Sequence, residues 1–161
     1  MSNKKTSSVT YRIAKAVDMK AIALLSWELH TDPVACGEYE TVEERYNIHM
    51  EEFCDENYEF FIALIGEEPV GFSQVSYRRE YVDGTDGIGT TGYLEAIYTR
   101  KNYRNQGVAR QLVTMGQLWA KSRGCKEFAS GCLIDNYDSY MFHLRYGFEE
   151  TSRNICFAIR L

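Results

Sequence analysis

Two periods of apolar residues alternate along this chain, and each change of period marks the edge of an expected element. Val9 to Ala16 alternates, with Val9, Tyr11 and Ile13 on one side, and predicts a strand. Asp18 then stands where a helix N-cap would, ahead of Ile22, Leu25 and Leu29 at helical spacing. Thr41 and Glu44 form a capping-box pattern before Tyr46, Met50 and Phe53, which predicts a second helix over Thr41 to Asp55. Phe60 to Ile65 is a short apolar run of strand formers. Glu67-Glu68-Pro69 interrupts it as a turn, and Val70 to Tyr77 completes an expected hairpin.

Gly84 to Gly92 holds four glycines in nine residues and predicts a loop that returns into a strand over Tyr93 to Tyr98. After Gly107, the residues Val108, Leu112, Met115 and Trp119 recur at helical spacing until Gly124 stops the helix. Phe128 lies in a short strand, Asn136 to Tyr146 in a helix closed by Gly147, and Ile155 to Leu161 alternates as a final strand. The expected order is β-α-α-β-β-β-α-β-α-β, an α/β fold. Residues 1–8 are expected to be a flexible N-terminus and residues 9–161 one domain, because no repeat, low-complexity run or linker divides them.

Composition narrows the setting. A chain of 161 residues can bury a core without disulfides or metal. Nothing approaches the run of about 18 uncharged apolar residues that a membrane helix needs, and the polar start through Ser8 lacks the apolar stretch of a signal peptide, so a cytoplasmic protein off the membrane is expected. Cys36, Cys54, Cys125, Cys132 and Cys156 are odd in number and include no C-x-x-C pair, which argues against a disulfide framework or a metal site; most are expected to be small buried apolar residues. The net charge of -5 disfavours a nucleic-acid partner. It also conceals a division: Glu28 to Glu59 carries eleven acids against Arg45 alone, while Arg100 to Lys126 carries seven bases and no acid. The first segment suits a cation and the second an anion, although either could be a solvated helix face.

Candidate chemistry concentrates where the strand Leu94-Glu95-Ala96-Ile97-Tyr98 leads, five residues on, to Arg104-Asn105-Gln106-Gly107-Val108-Ala109 and a helix. A strand that passes through a short loop into a helix leaves backbone N–H groups unpaired and pointing outward, where phosphate oxygens bind. Gly107 allows close approach, Ala109 keeps the helix entry uncrowded, and the helix dipole and nearby bases favour a diphosphate. Neither the Walker pattern nor the dinucleotide glycine fingerprint is present.

These residues resemble the GNAT family of N-acetyltransferases, whose acetyl-CoA loop has the form Arg/Gln-x-x-Gly-x-Gly/Ala, filled here by Arg104, Gly107 and Ala109. Asn136, Ser139, His143 and Gly147-Phe148 resemble the family's second cofactor segment, in order and spacing. Leu94 to Thr99 and Glu80-Tyr81-Val82-Asp83-Gly84 are similar to runs of the aminoglycoside 6'-N-acetyltransferase branch. The resemblance covers about the last half of the chain, and the earlier half mainly around Trp27. It implies a single-domain GNAT fold with a mixed, mostly antiparallel sheet flanked by helices. It also implies an acetyl-CoA cosubstrate lying where the strands at Leu94 and Phe128 part, a cationic aminoglycoside acceptor, an antibiotic-resistance role and a homodimer.

Carried over by position, the resemblance implies acceptor contacts from Trp27, Tyr81 and Glu95. It implies cofactor contacts from Ile97, Tyr98, Thr99, Asn105, Gln106, Gly107, Val108, Ala109, Arg110 and Asn136. The expected chemistry is direct attack of a neutral amine on the thioester, with Glu95 receiving the proton directly or through water and a backbone N–H near Ile97 meeting the developing oxyanion. Two departures stand out. Gly131 follows Ala129-Ser130 where the branch often has an aspartate, and His143 replaces the family's tyrosine acid; packing or cofactor contact is the favoured role for His143 over acid catalysis. Glu95 could instead be a solvated strand carboxylate, Trp27 and Tyr81 packing aromatics, and Asn136 an ordinary cap. Two rival functions remain: a GNAT acting on a polyamine or protein amine, and a non-catalytic acyl-CoA-binding module.

Overall fold

A computed structural model describes residues 8–31, 41–87 and 89–160. The expected flexibility of the N-terminus falls almost wholly outside these residues, as does Cys36. Five strands form one sheet in chain order: β1 (Val9–Ile13), β2 (Tyr58–Ile65), β3 (Glu68–Arg78), β4 (Thr91–Thr99) and β5 (Glu127–Ser130). The first three junctions are antiparallel and the last is parallel. A mixed, mostly antiparallel sheet is therefore what this chain builds. Its helices are α1 (Met19–Thr31), α2 (Val42–Phe53), α3 (Val108–Ser122) and α4 (Tyr137–Tyr146).

Alternation along the strands divides the core between the two faces. Phe60, Ile62, Phe72 and Tyr98 pack with Met19, Ile22 and Leu25 of α1, with α2 residues Tyr46, Met50 and Phe53 against them. Phe61, Ala63, Val70, Val75 and Leu94 pack with Val108, Leu112 and Val113 of α3. Full burial of such side chains stabilises by roughly 1.5–3 kcal/mol each, so the two clusters fix the sheet between its helices. Gly92 sets how closely α3 can lie. A Cβ there would overlap the Cβ of Ala120 and sit 2.9 Å from Phe128 Cδ2. Gly92→Ala is expected to lower unfolding free energy by about 1.5 kcal/mol, since overfilling a packed core forces backbone shifts. Denaturant melts monitored by circular dichroism check this, and an unchanged midpoint contradicts it.

Several expectations are corrected. Ile155 to Arg160 forms no strand: residues 151–160 are all exposed, with Ile155 at 80%, Phe157 at 91% and Ile159 at 86%. Alternation makes a segment suited to pairing, but pairing needs a free edge, and none within the described residues takes it. Asp18 does not cap α1; it ends a 3-10 turn, where its carboxylate accepts from Lys15 N–H at 2.7 Å and from both terminal nitrogens of Arg12. That guanidinium holds the Asp18 carboxyl below the usual range. The hairpin turns at Gly66 and Glu67, one step earlier than expected, with Gly66 at φ +62°. The cysteines are not buried: Cys54, Cys132 and Cys156 are exposed, Cys125 is half-buried, and all four are free thiols. They fall at element ends or in the C-terminal segment, where the chain surfaces.

Candidate active site

β4 carries the centre of the site, and its register shows how. Gln74 of β3 faces Ala96 while the next residue, Val75, faces Leu94, so Glu95 is an extra residue bulged out of the ladder. A bulge re-aims the side chains on either side of it. Here Ala96 and Tyr98 pack with the α1–α2 cluster, while Leu94 and Ile97 pack with the α3 cluster. Glu95 turns to β3, where Ser76 Oγ donates a short hydrogen bond to its Oε1. Arg78 Nη2 and Nε reach the same oxygen at 2.7 and 3.2 Å.

The strands on the other side of β4 part at the same level. Parallel pairing with β5 runs from Thr91–Glu127 to Leu94–Ser130 and stops. From Glu95 to Thr99, that edge of β4 has no strand partner among the described residues. Eight residues beyond Thr99, where the pairing with β3 ends, Gly107 opens α3 without a side-chain cap, at φ 84°. Asn105 is also left-handed, at φ 61°, which asparagine tolerates better than most residues. The first helical bond runs from Gln111 N–H to Gly107 O at 3.0 Å, so the N–H groups ahead of it have no helical acceptor. Left-handed residues in such a loop turn successive N–H groups into one concavity, an anion-binding shape. Asn105, Gln106, Gly107 and Arg110 are exposed there; Ala109 is half-buried and Val108 is core at 1% exposure. This chemistry fits the diphosphate of acetyl-CoA.

The side chains next to the loop are mostly committed elsewhere. Arg104 Nε donates to Thr99 O at 2.9 Å, Arg110 Nη2 donates to Arg145 O at 3.0 Å, and Arg100 holds Glu28 at 2.8 Å and Pro69 O at 2.9 Å. The acidic and basic segments thus partly neutralise each other at Glu28 and Arg100. Tyr98 is a core side chain, and Thr99 Oγ1 is buried without a hydrogen-bond partner, 3.3 Å from where a Cβ on Gly71 would stand. Any ligand contact from Tyr98 and Thr99 is therefore a backbone contact.

Near Glu95 stand Tyr58 and Tyr93, two phenols that the sequence did not single out. The Tyr58 phenol is pushed up by burial, then by the negative charges of Glu95 and Glu52, with Asp55 adding to them. Three carboxylates thus lie within electrostatic reach of one phenol near the C-terminal end of α2. Tyr93 is likewise pushed up by burial, with Arg78 opposing the shift and Glu95 and Asp83 adding to it. Arg78 and Tyr93 also line a cavity of about 780 Å³ with Tyr81, Asp83, Ser130 and His143. Tyr81 is 68% exposed in that cavity, whereas Trp27 on α1 is 36% exposed and stands outside its lining, as does Glu95 itself.

The two departures have local explanations. A Cβ on Gly131 would lie 2.9 Å from Tyr93 Oη, so the phenol occupies the space a side chain would take. His143 Nδ1 donates to Ser139 O at 2.6 Å and Nε2 meets Ser130 Oγ at 2.9 Å, so both ring nitrogens are engaged by the protein. Asn136 caps α4, its side chain accepting from Ser139 N–H at 3.0 Å. Among the described residues no cluster of His, Cys, Asp or Glu is arranged to hold a metal.

Comparison with known proteins points the same way. A profile of the Acetyltransferase (GNAT) family matches residues 19–148. The chain is 38% identical over 100 residues to an aminoglycoside N(6')-acetyltransferase type 1 of Salmonella typhimurium, spanning 62% of this chain and 68% of that protein. It is 35% identical over 100 residues, with the same coverages, to the corresponding protein of Acinetobacter haemolyticus. Its backbone is similar to aminoglycoside N-acetyltransferase AAC(6')-Iy in complex with CoA, with a TM-score of 0.87, 27% identity, and coverage of 98% of this chain and 99% of that one. AAC(6')-Iy bound to the bisubstrate analogue CoA-S-monomethyl-acetylneamine gives 0.84 and 28%, over 96% and 100%. From the bulged carboxylate, the parted strands and the α3 entry loop to the matched profile, the observations agree: this chain belongs to the Acetyltransferase (GNAT) family.

Proposed function

We propose that this protein transfers the acetyl group of acetyl-CoA to the 6'-amino group of an aminoglycoside, in the manner of an antibiotic-resistance enzyme. The observation that carries this is Glu95, bulged out of β4 at the level where β4 and β5 part, with the Tyr58 phenol within electrostatic reach of it and of Glu52 and Asp55. Acetyl-CoA supplies a thioester, an acetyl group activated toward amines. The backbone N–H groups from Asn105 to Arg110 hold its diphosphate by hydrogen bonding and helix field. The free edge from Ile97 to Thr99 and the Asn136 amide border the path of its pantetheine arm, and the Ile97 N–H faces the oxygen that gains charge. Glu95 takes the proton from the acceptor ammonium, either directly or through one water.

Glu95, Glu52 and Asp55 attract the acceptor, and Trp27 and Tyr81 offer it aromatic faces. These assignments follow the chemistry of the site and the substrates named for the relatives. Among the described residues no helix is long and apolar enough to cross a membrane. The site of action proposed is the cytoplasm, where acetyl-CoA is made and used.

A homodimer is part of this proposal. It is supported by Ile155, Phe157 and Ile159, an exposed alternating row that a second copy can cover. Ending the chain after Asn154 is expected to convert a dimer to a monomer in light scattering; a full-length monomer contradicts the dimer. The function is tested by thiol release from acetyl-CoA with aminoglycosides, spermidine and lysine peptides as acceptors. Turnover is expected with aminoglycosides bearing a 6'-amine. Turnover of spermidine or peptide alone contradicts the proposal.

A further inference from the structure

Glu95 is held on one side only. Its Oε1 takes the hydrogen bonds of Ser76 Oγ, Arg78 Nε and Arg78 Nη2, while Oε2 takes none among the described residues. Arg78 is itself fixed twice more: its guanidinium lies over the Tyr93 ring, 3.8 Å from the centroid, and its Nε also donates to Ser76 Oγ at 3.3 Å. Stability gives little reason for this arrangement. The Arg78 and Glu95 side chains are 40% and 21% exposed, a setting in which an ion pair adds little because water screens it. A fixed cation is also an odd neighbour for a carboxylate proposed to meet a polycation, unless it serves the reaction.

We infer that Arg78 and Ser76 are positioning residues, which clamp Glu95 through Oε1 and so leave Oε2 as the single oxygen that accepts the acceptor's proton. The inference rests on the transfer reaction proposed above. The clamp does two things. It fixes the carboxylate plane, so that the lone pairs of Oε2 point along one direction, as a general base needs when its partner is held by separate contacts. It also places a permanent positive charge beside the reacting nitrogen, which favours the neutral, nucleophilic amine over its ammonium. The bulge at Glu95 makes this possible. In a regular ladder β4 would keep strict alternation, whereas the extra residue frees Glu95 to lean across to Ser76 and Arg78, which share one face of β3. The planar fork matters as well as the charge, because two nitrogens of one guanidinium reach one oxygen while the ring face of Tyr93 holds its plane.

The test compares Arg78→Met, Arg78→Lys, Arg78→Ala and Ser76→Ala with the wild type, using whichever amine of the acceptor panel the wild type acetylates. Arg78→Met is expected to lower kcat by about tenfold with KM for acetyl-CoA unchanged, as for loss of alignment in the transition state. Arg78→Lys, which keeps charge without the fork, recovers less than half of the loss. Added guanidinium raises kcat of Arg78→Ala several-fold and leaves the wild type unchanged, an effect that repair of a merely structural defect does not give. Ser76→Ala, a small change at a buried position, lowers kcat in the same direction and serves if an Arg78 variant fails to fold. Folded Arg78→Met and Ser76→Ala with wild-type kcat overturn the inference. Failure of the wild type on aminoglycosides alone overturns the acceptor assignment instead, and the variant ratios on the accepted amine still decide the role of Arg78.

Discussion

Replacing Glu95 with glutamine is expected to lower kcat by about a hundredfold or more, the usual share of a general base in proton transfer. Glutamine keeps the size of the side chain and can still accept from Ser76 and Arg78, but it cannot take a proton from an ammonium. Affinity for acetyl-CoA is expected to stay within about twofold, because the proposed diphosphate loop starts ten residues further along the chain and the Glu95 carboxylate is bonded to Ser76 and Arg78 instead. KM for the acceptor should rise modestly, since the carboxylate also attracts the cation. Steady-state kinetics beside calorimetric titration of the folded variant separates these effects. A variant that keeps wild-type kcat assigns the base elsewhere and returns Glu95 to the role of a strand carboxylate.

Gly107→Val is expected to weaken acetyl-CoA binding by about thirtyfold, on the order of 2 kcal/mol. At Gly107, φ is 84°, and a Cβ there would meet nothing within 4 Å. The penalty is therefore conformational: a side chain in the left-handed region costs roughly 1–2 kcal/mol, and a β-branched one sits at the upper end. The loop relieves that strain by rotating out of the left-handed region, and this turns away the N–H groups proposed to meet the diphosphate. Gly124, at the far end of α3, has φ +82° and equally open surroundings. Gly124→Val should therefore cost similar stability while leaving acetyl-CoA affinity unchanged. Titration of both variants checks the pair, and equal losses of affinity at the two sites contradict the assignment of the loop.

Local features were legible in the sequence because they are local. Thr41 and Glu44 cap α2 as their spacing predicts, with Thr41 N–H donating to Glu44 Oε2 at 2.7 Å, and Gly107 opens α3. The Arg104 to Ala109 loop and the Asn136 cap needed only short stretches of chain to be recognised. What the sequence withheld depends on pairing between distant segments. Glu95 was singled out for its place before the loop, but its bulge exists only in the register of β4 against β3. Ser76 and Arg78 lie nineteen and seventeen positions from the carboxylate they clamp, and no local pattern marks them. Tyr58, at the start of β2 opposite Ser76, feels Glu95 from β4 and Glu52 and Asp55 from the end of α2, again a non-local fact.

The alternation of Ile155, Phe157 and Ile159 predicted a strand that does not form, because among the described residues nothing pairs with that segment and all three side chains are exposed. Gly131 could be noted as missing an expected side chain. Only the position of Tyr93 shows what fills that space.

The most direct measurement is the identity of the product. Purified protein incubated with acetyl-CoA and a kanamycin-like aminoglycoside should yield one acetylated species, with nuclear magnetic resonance placing the new amide at the 6'-nitrogen, and Glu95→Gln should form it far more slowly. An antibiotic recovered unmodified from folded, acetyl-CoA-bound wild-type protein contradicts the account.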